Sequence, residues 1–206
     1  MTPAHTSQNQ PGVMREGPVE GLPAVDLLHT WQLSKETLFT IRRLLEETFD
    51  GQFSEEDWDH TLGGVHALVW EDGQLIGHGS LVQRRLIHTW RAAGGPTEPL
   101  ALRTGYLEAM AVRADRRRQG IGGAIIRALG DVVQGAYALG ALSASDDGLR
   151  FYAAHGWQRW QGRTFALTPF GVERTQEEDA GIFVLPVVEV DLFGDLTCDW
   201  RDGDVW

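Results

Sequence analysis

The hexapeptide Arg117-Arg118-Gln119-Gly120-Ile121-Gly122 lies between a strand-like run and an amphipathic one. A glycine-rich turn feeding a helix leaves several main-chain N–H groups unpaired and pointing outward. Together with the positive end of the helix dipole they make an anion site, suited to a phosphate. Gly120 and Gly122 let the main chain approach such a ligand with no Cβ in the way. Arg116, Arg117 and Arg118 add charge-assisted donors at the rim. A tight turn that binds nothing is the plainer alternative. No G-x-x-x-x-G-K-[ST] occurs, which sets aside a P-loop nucleotide site. Nor does a G-x-G-x-x-G with an acid about twenty residues on, so a dinucleotide site is not expected. A Ser–His–Asp hydrolase lacks its G-x-S-x-G elbow. His60, His66, His78, His88 and His155 show no ligand spacing with Cys or acid neighbours, and read as packed or surface groups.

The elements that must hold this turn can be read around it. "AVDLLHTW", from Ala24, reads as a short strand. Ser34 caps a helix with Leu38, Ile41, Leu44, Leu45 and Phe49 at helical spacing. Ser54 and an acidic first turn begin a second, short helix, which Gly63–Gly64 close. Two β-type runs flank Asp72–Gly73, a hairpin dipeptide. After the loop "RAAGGPTEP", "LALRTGYLEAMAV" reads as a strand leading into the glycine turn. The helix that follows carries Ile121, Ile125, Leu129 and Val132/Val133 on one face. "ALGALSAS" is a strand, "DDGLRFYAAHGW" a short helix ending at Gly156, and "FVLPVVEV" a late strand. Antiparallel hairpins followed by a strand–helix–strand crossover predict an α/β fold with a parallel junction in the middle of its sheet.

Composition narrows the partners. The 206 residues allow one sizeable core, so a single domain over 24–206 is expected behind a flexible leader over 1–23. The leader has neither the charged start nor the apolar block of a signal peptide. No apolar run approaches the roughly 20 residues that span a bilayer. The lone cysteine, Cys198, suits a reducing cytoplasm and reads as a small buried hydrophobe. A net charge of −11 argues against nucleic acid and is compatible with a cationic small molecule, since negative clefts concentrate cations.

The pattern [Arg/Gln]-x-x-Gly-x-[Gly/Ala], after "LEAMAV" and before an amphipathic helix, resembles the acetyl-CoA motif of the GNAT N-acetyltransferases. "FSEEDWDHTLGGVHALVW", "QRRLI", "GYLEAMAVRAD", "GAYALGALSAS", "FYAAHGW", "FVLP" and "CDWRDGDVW" together resemble the aminoglycoside 2′-N-acetyltransferases of that superfamily. The likeness runs in order from about Ala24 to Trp206. It implies the GNAT acyltransferase fold, a mixed central β-sheet flanked by helices, with acetyl-CoA as cosubstrate and no metal. It also implies a cationic aminoglycoside acetylated at its 2′-amine by direct attack, and a homodimer.

By that resemblance, the main chain of Met110, Ala111 and Val112 pairs with the pantetheine arm like an added strand. The turn Arg117, Arg118, Gln119, Gly120, Ile121, Gly122 holds the diphosphate. A main-chain N–H of Met110 or Ala111 polarises the thioester carbonyl. Glu108 matches the position of a base acting through water. Tyr152 matches a tyrosine that protonates the departing thiolate. Asp57, Asp204, Ser143 and the acids Glu177 and Glu178 of "QEEDAG" face the amines. Gln52-Phe53 stands where relatives read Asp-Phe after glycine, so Gln52 brings a hydrogen bond but no charge. The triple arginine before Gln119 departs from a Trp-Arg-Gly form. The aromatic ending on Trp206 finds a purpose here: its indole anchors an α-carboxylate that lines the site and relays protons. Two other readings stay open: the same fold acting on another amine, such as a cell-wall sugar or polyamine, and a non-catalytic acetyl-CoA sensor.

Overall fold

The computed structural model describes residues 14–15, 23–95 and 98–206. Most of the leader and part of the "RAAGGPTEP" loop (96–97) therefore lie outside the described residues. Within the leader, Met14–Arg15 forms a two-residue strand β1 antiparallel to β2 (Asp26–His29), so the sheet begins earlier than expected.

Local chemistry sets the helix starts. The Ser34 hydroxyl accepts the Thr37 N–H at 3.0 Å and opens α1 (Lys35–Thr48). Ser54 and Asp57 satisfy each other's N–H groups in a reciprocal box at the start of α2 (Glu55–Thr61). Asp72 and Gly73 both take left-handed φ, 49° and 75°, which turns β3 (Val65–Glu71) into β4 (Gln74–Thr89) with the twist a hairpin needs. β5 (Leu100–Val112) pairs antiparallel with β4, and α3 (Ile121–Ala136) carries the chain over to β6 (Leu139–Ser143), parallel to β5. α4 is Leu149–Ala154.

Past α4 the sequence reading is incomplete. β7 (Gln158–Arg159), β8 (Thr164–Thr168), β9 (Gly171–Arg174) and β11 (Asp195–Asp199) run for only two to five residues each, too short to stand out from the loops around them, and β10 stops at Pro186 (Ile182–Pro186). β10 lies between β6 and β7, with Ile182, Phe183 and Val184 buried. β11 takes the β4 edge at Ile87–Thr89, beyond the reach of β3, and brings in β8 and β9.

Both faces of the central strands are covered. On one, Ile121, Ile125 and Leu129 of α3 close over Ala67, Val69 and Ile76. A Cβ on Gly77 would come within 2.7 Å of Ile121 and 2.9 Å of Ile125, so glycine there lets the helix sit close to the sheet. On the other face, Ile41, Leu44 and Leu45 of α1 meet Leu68, Leu75 and Ala111. Each such side chain removes apolar surface worth about 1.5–3 kcal/mol from water. Among the described residues no helix is long and apolar enough to cross a membrane.

Candidate active site

The site forms where two parallel strands part. β5 and β6 are in register only through Thr104–Tyr106 and Leu139–Ala141. From Leu107 to Val112, β5 has no partner on that side among the described strands. Its pairing with β4 also breaks here: the register shifts between His78 and Ser80, and Ala109 takes a left-handed φ of 48°. The result is a bulge that re-aims the main chain of Glu108, Ala109 and Met110.

The glycine turn stands at the end of the open stretch. Gly120 caps α3 with a φ of 84° and offers no side chain to the first-turn N–H groups, which leaves them to a ligand. Arg118 shares the left-handed region at 60°. Arg117, Arg118, Gln119 and Gly120 are exposed, and Ile121 is buried beneath them. Gly122 lies under Phe151, whose ring a Cβ would meet at 3.2 Å. Arg117 donates to the Val112 carbonyl and Gln119 to that of Asp115, both at 3.2 Å. Arg116 is not a rim donor. It is paired with Glu71 at 2.7 Å and Asp115 at 2.9 Å, tying the turn to the β3–β4 hairpin.

Beside the open strand is a cavity of about 370 Å³. Glu108, Ala109 and Met110 form its floor, with Tyr152 and Ser143 on the α4 and β6 side. Gln52, Phe53 and Asp57 line it from the α1–α2 corner, and Asp204 and Trp206 from the last segment. Residues spread over more than 150 positions of sequence thus share one hollow. Ala111 and Val112 are not among its walls; Ala111 is buried under α1. Glu178 reaches the site indirectly, accepting from the Ser143 hydroxyl at 3.2 Å, and Glu177 is exposed outside it.

Several lining groups carry no sequence signal. Arg201 is the foremost. One guanidinium nitrogen ion-pairs with Glu108, a second donates to the Asp204 carbonyl at 2.7 Å, and the third to the Trp206 main-chain oxygen at 3.1 Å. Arg84, buried, donates to Asp199 Oδ1 and to the Asp199 and Val205 carbonyls at 2.7–2.8 Å. Both guanidinium groups stack on Tyr106, at 4.7 Å for Arg84 and 5.5 Å for Arg201. The Trp206 indole, 4% exposed, donates to Thr175 Oγ1 at 2.9 Å. A cationic residue amid acids could be found from sequence only by knowing that the last segment folds back.

Electrostatics follow from this burial. Desolvation raises the Glu108 carboxyl above its ordinary range, while Arg201, by charge and hydrogen bond, pulls it back in part. Burial pushes the Tyr152 hydroxyl up to about 12, so it holds its proton until a strong base appears. Burial raises Glu178 too. Cys198 is buried and pushed up to about 11, a packed thiol. His60 lines the cavity, while His66 and His78 are fully buried. Among the described residues no three His, Cys, Asp or Glu side chains gather as a metal site would need.

Comparison with known proteins agrees with this geometry. The sequence pattern of the acetyltransferase (GNAT) family matches residues 28–157. The chain is 48% identical over 196 residues to an aminoglycoside 2′-N-acetyltransferase of Mycolicibacterium fortuitum, covering 92% of this chain and 96% of that one. Among solved structures, the GNAT family N-acetyltransferase YhbS of Escherichia coli, in complex with CoA, superposes with a TM-score of 0.55 at 14% identity over 93% of both chains. A GNAT acetyltransferase of Brucella melitensis, in complex with acetyl-CoA, gives 0.51 at 16% identity, covering 84% of this chain and 94% of that one. A bulged, parting strand pair beside a glycine turn, and a family pattern spanning both, make this protein a member of the acetyltransferase (GNAT) family.

Proposed function

We propose that the protein is an aminoglycoside 2′-N-acetyltransferase, moving acetyl from acetyl-CoA to the 2′-amine of the antibiotic by direct attack, and so conferring resistance. The observation that carries this reading is one cavity in which Glu108, Tyr152, Asp57, Asp204 and Trp206 meet beside the open stretch of β5. The 48% identity to the M. fortuitum enzyme supports the substrate class.

The residues fit acetyl-CoA, the donor of this family. The free N–H groups from Gly120 to Gly122, with Arg117, Arg118 and Gln119, suit a diphosphate. The unpaired edge at Met110, Ala111 and Val112 suits the amides of a pantetheine arm. The acetyl-CoA supplies an activated thioester. Everything else falls to side chains and main chain.

An ammonium cannot attack a carbonyl, so the amine must first lose a proton. Glu108, raised by burial, is the group in reach to take it through water. The main-chain N–H of Met110 or Ala111, re-aimed by the bulge, stabilises charge on the thioester oxygen. Tyr152, still protonated, hands its proton to the leaving thiolate. Asp57 and Asp204 bind the remaining ammonium groups, each good contact worth about 1.5–3 kcal/mol. Ser143, backed by Glu178, and Gln52 and Phe53 complete the walls, and Glu177 adds negative field at the rim. Trp206 anchors the last segment, and its main-chain oxygen faces the same amine.

The same reading places the enzyme in the cytoplasm, which suits its one buried thiol. It also makes it a homodimer. With β10 flanked on both sides, β9, exposed throughout, is the edge a second copy would pair. Thiol release from acetyl-CoA tests the function. Turnover with aminoglycosides bearing a 2′-amine, and none with 2′-hydroxyl analogues, is expected. Turnover with neither would overturn it.

A further inference from the structure

Two histidines that the site does not touch are buried completely beneath it. His66 on β3 and His78 on β4 lie on the α1 face of the sheet, both 0% exposed, with Nδ1 of His66 and Nε2 of His78 3.0 Å apart. His78 Nδ1 is 2.9 Å from the Ala109 carbonyl. At the other end, His66 Nε2 is 2.8 Å from Thr30 Oγ1, which accepts the Gly63 N–H at 2.9 Å.

One atom fixes the direction of this chain. A carbonyl oxygen only accepts, so His78 must carry its proton on Nδ1, and its Nε2 must accept. His66 must then carry its proton on Nδ1, and its Nε2 takes the Thr30 hydroxyl proton at 2.8 Å in preference to the Gly64 carbonyl at 3.2 Å, which already accepts the Thr30 N–H. Burial supports the neutral state of both rings, lowering His66 to about 4 and His78 to about 3. The other titratable group that acts on His66 is His29, which also lowers it. A single proton arrangement therefore holds across the neutral range.

The far end of the chain lands on the strained residue of the site. Ala109 holds φ at 48°, a left-handed conformation that a non-glycine residue keeps only where its surroundings impose it. The described peptide bonds are all trans. In a trans peptide the carbonyl and the following N–H point in opposite directions. Holding the Ala109 oxygen against His78 therefore turns the Met110 N–H away from the histidines, and Met110 is on the cavity wall.

We propose that His78, braced by His66 and Thr30, is a positioning residue for acetyl transfer: it pins the 109–110 peptide so that the Met110 N–H faces the acyl oxygen of the donor. This rests on the acetyl-CoA reading of the site and selects Met110 over Ala111 as the donor. A buried network earns its retention only when every partner is satisfied, and here each is.

The first test uses the unmodified protein without ligand. Nitrogen-15 NMR of the histidine rings should find His66 and His78 as Nδ1–H tautomers, unchanged across the neutral range. An Nε2–H tautomer at His78 would overturn the proposal. The second test compares His78→Phe, which keeps bulk but has no donor, with His78→Asn, whose amide can still reach the Ala109 oxygen. His78→Phe should lower kcat roughly 100-fold, the scale of one lost oxyanion donor, with KM for acetyl-CoA changed less than about twofold. His78→Asn should recover most of that loss. Equal losses in the two variants, or a folded His78→Phe with kcat near that of the parent, would refute a positioning role. If His78→Phe does not fold, the carbonyl stretch of bound acetyl-CoA, read by infrared with no acceptor present, decides between the parent and His66→Gln. A shift to higher frequency in His66→Gln is expected, and an unchanged band counts against the proposal. Because neither the tautomers nor this band depend on an amine, failure with aminoglycosides alone leaves the test standing.

Discussion

Arg201 and Glu108, 93 residues apart in sequence, form an ion pair in which each side chain is only 14% exposed. The pair puts a resident cation where a substrate ammonium is expected, next to the group assigned as base. Arg201 also contacts the Asp204 and Trp206 main chain, so the last segment and the proposed base are set by one guanidinium. Replacing it by Arg201→Met removes the charge and the hydrogen bond that do most to hold the Glu108 carboxyl down, and leaves only the Arg84 charge against desolvation. The acidic limb of the kcat/KM profile, already displaced upward from ordinary glutamate behaviour, should move further up. Breaking a buried pair costs about 3–5 kcal/mol, so the variant should also unfold at lower denaturant. A limb that stays in place would separate Glu108 from the proton transfer.

Trp206 offers a sharper division between packing and polarity. Its indole packs in a further buried cluster with Leu86, Tyr106 and Trp160, separate from those under α1 and α3, and donates one hydrogen bond, to Thr175. Trp206→Phe keeps most of the volume and should cost about 1 kcal/mol, the worth of one hydrogen bond. Trp206→Ala should cost about 3–5 kcal/mol. It should also raise KM for the aminoglycoside, because Arg201 and Asp204 lose their backing, with KM for acetyl-CoA little changed. Urea unfolding and steady-state kinetics on both variants check the ordering.

Acid should loosen the protein earlier than its carboxylates alone require. His66 and His78 sit near 4 and 3 in the fold, against an ordinary 6.5. Below pH 6.5 the unfolded chain takes up protons that the folded chain refuses, so stability falls with pH down to those values. His60 and His88, also lowered, add to the slope. Depressed acids such as Asp179 and Asp191 act only lower, below about 4. The raised Glu108 and Glu178 carboxyls work the other way, since the fold binds their protons before the unfolded chain does. Four lowered histidines outweigh two raised glutamates, so urea midpoints should decline between pH 6.5 and 4.5, a window bounded by the histidine and glutamate reference values. A His66→Gln/His78→Gln double variant should show a flatter decline there. An equal slope would place the liability elsewhere.

How much of this was legible depended on whether a signal was local. The caps at Ser34 and Ser54, the Asp72–Gly73 turn and the strand Leu100–Val112 are where the sequence puts them, because each is set by neighbours in the chain. The late strands were missed. β8, β9 and β11 are short, and β11 exists because β4 outruns β3 and leaves an edge to fill, which no local pattern records. The site divides the same way. Glu108 and the Arg117–Gly122 turn belong to a motif, whereas Arg201, Arg84 and the His66–His78 pair matter through contacts across the fold. A run of three arginines says nothing about which one Glu71 claims, so the pairing of Arg116 with the hairpin is visible only in the fold.

Arg118 holds a φ of 60° with an exposed side chain, a conformation that only glycine adopts freely. Arg118→Gly should relieve about 1 kcal/mol of backbone strain, partly offset by greater freedom of the unfolded chain. If the guanidinium serves the diphosphate, KM for acetyl-CoA should rise as stability rises. Thermal unfolding and coenzyme titration read the two effects separately. A more stable variant with unchanged KM would remove Arg118 from the binding set.

Gln52 is one of two departures from the pattern this chain resembles, which puts an aspartate at this position; here it lines the cavity wall. It lies just past the left-handed Asp50–Gly51 pair, exposed and lining the hollow near Phe53 and Asp57. As an amide it can accept from an ammonium but adds no attraction of its own. Gln52→Asp should therefore lower KM for polycationic aminoglycosides, by about threefold to tenfold for one partly exposed charge contact of roughly 0.5–1.5 kcal/mol. The gain should shrink as salt is raised, because the contact is solvent-accessible. Acetyl-CoA, held at the far end of the site, should bind as before. The change shortens the side chain by one methylene, but Gln52 is exposed and outside the core, so stability should move by less than about 0.5 kcal/mol. Kinetics at two ionic strengths would decide: a KM indifferent to both substitution and salt would mean that the amines are read by Asp57 and Asp204 without help from this corner.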